Sequence, residues 1–161
     1  MEGSQNYIGM PCGLVMCIDR MERGVLSGRY YHFYSRQGEA FDSLDELVFG
    51  MEQFFERINF PHASTNRRVF AKSIIRTDGK AERRKVMKEE ELLAKHGDLG
   101  TFIVRVQHRQ NSSWQGRITW SEKNKTVNFR SVWEMVQLIG NALDTISEPE
   151  DGAGKVTWME D

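Results

Sequence analysis

The chain is 161 residues long, 39% hydrophobic and 28% charged, with a formal net charge of −1. That is long enough for one well-packed domain, short for two independent ones, and too apolar for wholesale disorder. No apolar run approaches the roughly 20 residues of a membrane helix, and residues 1–12 lack the basic-then-apolar order of a secretory signal. Cys12 and Cys17 are too few for a disulfide scaffold or an all-cysteine zinc site. The expectation is a cytoplasmic protein with reduced thiols and no membrane association.

In chain order, Leu14–Ile18 reads as a strand, Glu22-Arg23-Gly24 as a turn and Arg29–Phe33 as a second strand. A short third strand ends at Phe41. Ser43-x-x-Glu46 then has the form of a capping box, in which the serine oxygen accepts from a first-turn amide and the glutamate reaches back to the cap amide. Leu44, Leu47, Val48, Met51 and Phe55 follow at helical spacing. Pro61 and Ser64-Thr65-Asn66 end that helix. Val69–Ile75 fits a strand or an extended loop, and Thr77-Asp78-Gly79-Lys80 a turn. From Glu82 to His96 the pattern is helical, with Gly97 placed as a C-terminal cap.

The grammar then repeats. Phe102–Val106 is a strand, Asn111-Ser112-Ser113 a turn, Arg117–Trp120 a strand, and a short strand ends at Phe129. Ser131-x-x-Glu134 opens a helix carrying Val132, Met135, Val136, Ile139 and Leu143. Residues from Glu148 to Gly154 read as a loop or frayed end. A shift of 88 positions brings Gly28, Arg29, Phe41, Ser43, Glu46 and Val48 onto identical residues, six matches where chance supplies roughly one. The predicted fold is therefore α+β, one domain of two tandem β-β-β-α repeats with antiparallel sheets. Repeat one spans 13–57, a basic helical insertion 58–100, repeat two 101–146 and an acidic tail 147–161.

Alternation splits each strand into two faces. In repeat two, Phe102, Val104, Val106, Trp114, Ile118, Trp120, Val127 and Phe129 fall on a face that packs on the helix. The other face carries Arg105, Gln107, Arg109, Gln115, Arg117, Thr119, Thr126, Asn128 and Arg130, with no carboxylate. Such forks of donors suit phosphates and base edges. An ordinary wet sheet face is also polar, so alternation alone does not decide between the two. Between Arg67 and Lys88, nine basic side chains stand against two acidic ones. Arg67, Arg68, Arg83, Arg84 and Lys85 are its candidate phosphate contacts, although a solvated helix face has the same composition. In repeat one, Tyr31 and Phe33 share a face that is either buried or a surface for a protein partner.

The pattern Trp114-Gln115-Gly116-Arg117-Ile118 followed by Phe129-x-Ser131-x-x-Glu134 resembles the three-stranded arm-type DNA-binding domain of tyrosine integrases and the similar plant ethylene-response-factor domain. The resemblance covers residues 102–143. It implies a sheet that enters the major groove, with Arg105, Gln107, Arg109, Arg117, Thr119 and Arg130 in outward positions.

Chemistry is sparse. The four histidines form no metal-binding pattern, and there is no G-x-S-x-G, P-loop or G-x-G-x-x-G. Capping accounts for Ser43, Glu46, Ser131 and Glu134. The expectation is a non-enzymatic nucleic-acid-binding or regulatory protein, without cofactor or metal, with DNA the favoured target and RNA the alternative. The alternative is an adaptor or inhibitor that joins a protein complex, and homo-oligomers fit either reading.

Overall fold

The computed structural model describes residues 5–66, 68–71 and 84–147. Its elements are β1 (Leu14–Glu22), β2 (Val25–His32), β3 (Glu39–Phe41), α1 (Leu44–Ile58), α2 (Glu89–Leu93), β4 (Gly100–His108), β5 (Gln115–Trp120), a 3₁₀ turn (Ser121–Lys123), β6 (Lys125–Phe129) and α3 (Val132–Ser147). The strands of both halves join in one six-stranded antiparallel sheet, ordered β3-β2-β1-β4-β5-β6. The fold is α+β. Among the described residues, no helix is long and apolar enough to cross a membrane.

The expected strands overlap β1, β2, β4 and β5, of which β1 begins at the expected Leu14 and the others two to four residues earlier than expected, at Val25, Gly100 and Gln115. Leu14, Met16 and Ile18 of β1 meet Phe102, Val104 and Val106 of β4 on one face, where α1 and α3 cover them with Leu47, Met51, Phe55, Met135, Ile139 and Leu143. Trp114 joins this core, its ring edge-on to Phe55 at 5.3 Å. At the centre of the sheet Val15 pairs with Ile103, flanked symmetrically by Leu14 with Val104 and Met16 with Phe102. Both β1 and β4 carry a bulge, between Ile18 and Arg20 and between Val106 and His108. The residue opposite the start of each bulge is a glycine, Gly28 or Gly116.

The helix caps form with one difference from the expected box. Ser43 Oγ accepts from the Glu46 amide at 3.3 Å, and Ser131 Oγ from the Glu134 amide at 3.1 Å. Each glutamate, however, accepts from the amide one residue before the cap, Asp42 at 2.8 Å and Arg130 at 3.0 Å. Those amides also lie outside the intrahelical ladder, so the same need for acceptors is met.

The expected helix from 82 to 96 is corrected to the single turn of α2. Residues 84–88 are not helical: the Val86 and Met87 amides both donate to the Phe33 carbonyl. Met87 and Leu92 are buried against Tyr31, Phe33, Val15 and Ile103, so packing on the sheet overrides helical periodicity. Gly97 is not a cap, because the C-cap of α2 is Ala94. Instead Gly97 lets the chain touch β1, where a Cβ would stand 2.5 Å from the Ile18 nitrogen.

His32 ends β2 inside the core, 3% exposed, stacked on Phe54 with ring centroids 4.1 Å apart. Its Nδ1 accepts from the Tyr34 amide, and Nε2 is buried without a partner among the described residues. Burial, and secondarily the charge of Arg57, pulls its pKa down from 6.5 to about 4. The folded state thus holds the neutral ring while the unfolded chain takes a proton below pH 6.5. Stability is unaffected by this group above pH 6.5 and is lost as pH falls towards 4, by about 3 kcal/mol. Urea midpoints at pH 7 and pH 4 for wild type and His32→Phe should differ in pH slope by that amount; equal slopes would refute the assignment.

Candidate nucleic-acid interface

Opposite the helices, the second face of the sheet is largely covered rather than open. Ile8 and the 85–93 segment close over Val15, Cys17, Tyr31, Phe33 and Ile103. Tyr31 and Phe33 are 7% and 6% exposed, which corrects the expectation of a partner-binding aromatic patch. Their surface is occupied by Met87 and Leu92 of the same chain, with Lys85 Nζ 4.5 Å above the Phe33 ring.

The same cover extends over part of the arginine face. Arg105 is 4% exposed and Thr119 fully buried. The Arg105 guanidinium lies 4.3 Å from the Tyr7 ring centroid and donates to the Tyr7 carbonyl at 2.5 Å and to Thr119 Oγ1 at 2.8 Å. Thr119 Oγ1 is in turn 2.7 Å from Thr126 Oγ1. Burial lowers the Arg105 pKa, and the charge of Arg117 adds to that fall. Arg105 and Arg117 stand directly opposite each other on β4 and β5.

Arg109 leaves this face altogether. The bulge after Val106 inserts one residue, so alternation resumes out of step and Arg109 turns to the helix side. There it is 5% exposed, donating to the Pro61 carbonyl at 2.9 Å, to Glu52 Oε1 at 2.6 Å and to Glu56. Glu52 Oε2 also accepts from the Trp114 indole at 2.7 Å. Arg109 is therefore a strut between β4 and α1, and its outward placement is corrected.

Arg117 and Asn128 are exposed neighbours on β5 and β6, and Gln107 is exposed at the bulge. Arg117 makes no ion pair among the described residues. Arg130 is exposed but paired with Glu134 at 3.0 Å, a hydrogen bond that holds the Glu134 carboxyl below its usual range. Arg68, Arg84 and Lys85 are exposed. Arg67 and Arg83 lie outside the described residues. The sheet thus gathers Arg105, Arg117 and Thr119 into one site, keeps Gln107 at its rim, and separates Arg109 from it.

Two features escaped the sequence reading. Tyr7 lies in an irregular segment with no periodicity to mark it. Phe49 and Trp133, each 68% exposed, face solvent from the second turn of α1 and the first turn of α3 beside Leu44, Val48, Val132 and Val136. Their signal was a large aromatic residue outside the apolar stripe on helices whose core face was already filled. Among the described residues no group of three or more His, Cys, Asp or Glu is placed to hold a metal. Both cysteines are unpaired and buried, and burial pushes the Cys12 thiol up to about 12 and Cys17 up to about 11, which leaves them unreactive.

Comparison of the chain with protein-family models, with curated proteins and with solved structures finds no match to any of them.

Proposed function

We propose that this is a non-enzymatic nucleic-acid-binding protein whose contact surface is the outer face of β4, β5 and β6. One observation carries the reading. Two arginines, Arg105 and Arg117, are directly opposed on a face whose strand residues from β4 to β6 include no carboxylate. Like charges opposed across strands are destabilising, and a polyanion offsets that repulsion. Exposed Gln107 and Asn128 add hydrogen-bonding groups at the rim, and Arg68, Arg84 and Lys85 add exposed positive charge elsewhere on the chain. The likeness to arm-type domains fits this surface, although the face is partly covered. DNA is the favoured target, since a sheet face of arginine and amide side chains suits a major groove.

We also infer that the chain is a tandem duplication of a β-β-β-α unit. It is supported by bulges, serine caps and close-packed glycines that recur 88 residues apart, and by a sheet centred on the equivalent pair Val15 and Ile103.

Binding to labelled oligonucleotides, followed by fluorescence anisotropy across a salt series, tests the function. Wild type should bind with a steep salt dependence, and Arg117→Ala should weaken it and reduce the slope of log K against log salt by about one. Unchanged affinity in Arg117→Ala would overturn the sheet-face assignment.

A second reading, a protein-interaction module, is favoured by the Phe49 and Trp133 groove, because exposed apolar side chains clustered on one face mark contact surfaces. Failure of nucleic acid to bind at low salt would favour it.

A further inference from the structure

Arg105 is in an environment that its present neighbours do not explain. A buried guanidinium is costly unless a counter-charge and hydrogen bonds compensate it. Among the described residues its five donors meet one carbonyl oxygen and one hydroxyl, and Nε has no partner. Among the described residues no carboxylate touches it, and the charged side chain directly opposite across the strand pair is a second cation, Arg117. The Tyr7 carbonyl dipole and ring quadrupole are weak substitutes for an anion.

The cover that supplies them is slight. Residues 5–9 have no regular structure. They are tied down by the Gln5 amide donating to Asn124 Oδ1 at 2.7 Å, by Asn6 Nδ2 donating to the Ser121 carbonyl at 3.4 Å, and by the Ile8 and Gly9 amides donating to Glu89 Oε1 at 2.5 and 3.3 Å. Ile8 is fully buried and anchors one end, whereas Tyr7 is 44% exposed. Gly9, at φ +69°, marks the backbone turn beyond the anchor. Tyr7 can therefore leave the sheet by rotation about residues 5–7 while Ile8 stays in its core.

We propose that Arg105, Arg117, Thr119 and Thr126 form a phosphate site for nucleic acid, closed in the free protein by residues 5–9, whose Tyr7 carbonyl and ring occupy the place of the phosphate. This rests on the nucleic-acid reading above and adds a gate to it. A phosphate entering the site would accept from both guanidinium groups and neutralise their mutual repulsion, charge-assisted bonds that a carbonyl cannot match. The released ring would offer a surface on which a base can stack. Closure lowers the apparent affinity by the fraction of molecules that are open.

Three proteins separate the outcomes: wild type, Tyr7→Ala, and Tyr7→Ala combined with Arg105→Met. The probes are a fluorescein-labelled mixed-sequence single-stranded DNA and its duplex. Tyr7→Ala should bind about tenfold more tightly than wild type, as expected for a closed state that predominates by that factor. The added Arg105→Met should remove that gain, and thermal melts would establish that each variant is folded. Asn124→Gly, which removes the Gln5 tie at a left-handed position that glycine tolerates, should shift affinity in the same direction. Equal binding by wild type, Tyr7→Ala and Asn124→Gly would overturn the gate and leave the nucleic-acid reading standing. A gain that persists with Arg105→Met would overturn the phosphate site. No binding by any variant at low salt would refute the nucleic-acid reading and this inference with it. In that case phenylglyoxal modification, read by peptide mass, would still report the cover: Arg105 reactive only in Tyr7→Ala shows a lid without this ligand, and equal reactivity shows no lid.

Discussion

Gly116→Ala is expected to destabilise the protein by about 4 kcal/mol or more, the range reserved for substitutions that break a specific structural requirement. A Cβ on Gly116 would stand 2.0 Å from the Arg105 carbonyl oxygen and 2.9 Å from its carbonyl carbon, both backbone atoms that cannot rotate away. The bulge after Val106 brings the neighbouring strand this close, so the glycine and the bulge are one feature. Gly28 has the same relation to Cys17, at 1.9 Å. Relief requires β4 and β5 to separate at Val106 and Gly116, next to the pair that aligns Arg105 with Arg117. Urea denaturation measures the loss, and hydrogen exchange should place it in the β4 and β5 amides. Gly140→Ala is the internal control, since a Cβ there meets nothing within 4 Å. In mid-helix α3 that exchange should leave stability equal or raise it by about 0.5 kcal/mol. A Gly116→Ala protein as stable as wild type would show that the strands do not approach this closely.

Arg109→Met is expected to cost about 3 kcal/mol, a fall in Tm on the order of 10 °C for a chain of this size. The loss is not simply that of an ion pair. Arg109 is nearly fully buried while its partners Glu52 and Glu56 are partly exposed, so its removal strands the Pro61 carbonyl and sets two carboxylates near each other without a cation. Glu52 also loses the neighbour that holds it in place for the Trp114 indole, which loosens α1 from the start of β5. Thermal melts at low and high salt check this, and the effect should change little with salt because the arginine is shielded from counterions. Nucleic-acid affinity of the folded variant should match wild type. A parallel loss of affinity would return Arg109 to the binding surface.

The local grammar of this fold was legible from the residues. Alternation placed Trp114, Ile118 and Phe129 in the core, and Ser-x-x-Glu marked the starts of α1 and α3, because period-two burial and capping depend on neighbours within a few residues. The strands of both halves and their turns follow from the same short-range rules. The exposure of the outer face did not. Polar alternation reads the same whether a strand faces water or another segment, and what covers Arg105, Tyr31 and Phe33 comes from residues 7, 87 and 92, far away in the chain.

The bulge is the other boundary. One unpaired residue after Val106 reverses the side chains that follow it in this strand, Arg109 among them, and nothing near Gln107 marks it except the glycine on the facing strand. The helical spacing from 82 to 96 failed for a related reason, since burial of Met87 and Leu92 on the sheet outweighs a weak propensity. The sequence by itself thus determined the approximate strand positions, the serine caps and most of the core, although Val127, expected on the helix-packed face, is 47% exposed at the edge strand β6. The tertiary structure decided which of its arginines meet solvent, because burial of a charged side chain depends on long-range cover that no local pattern encodes.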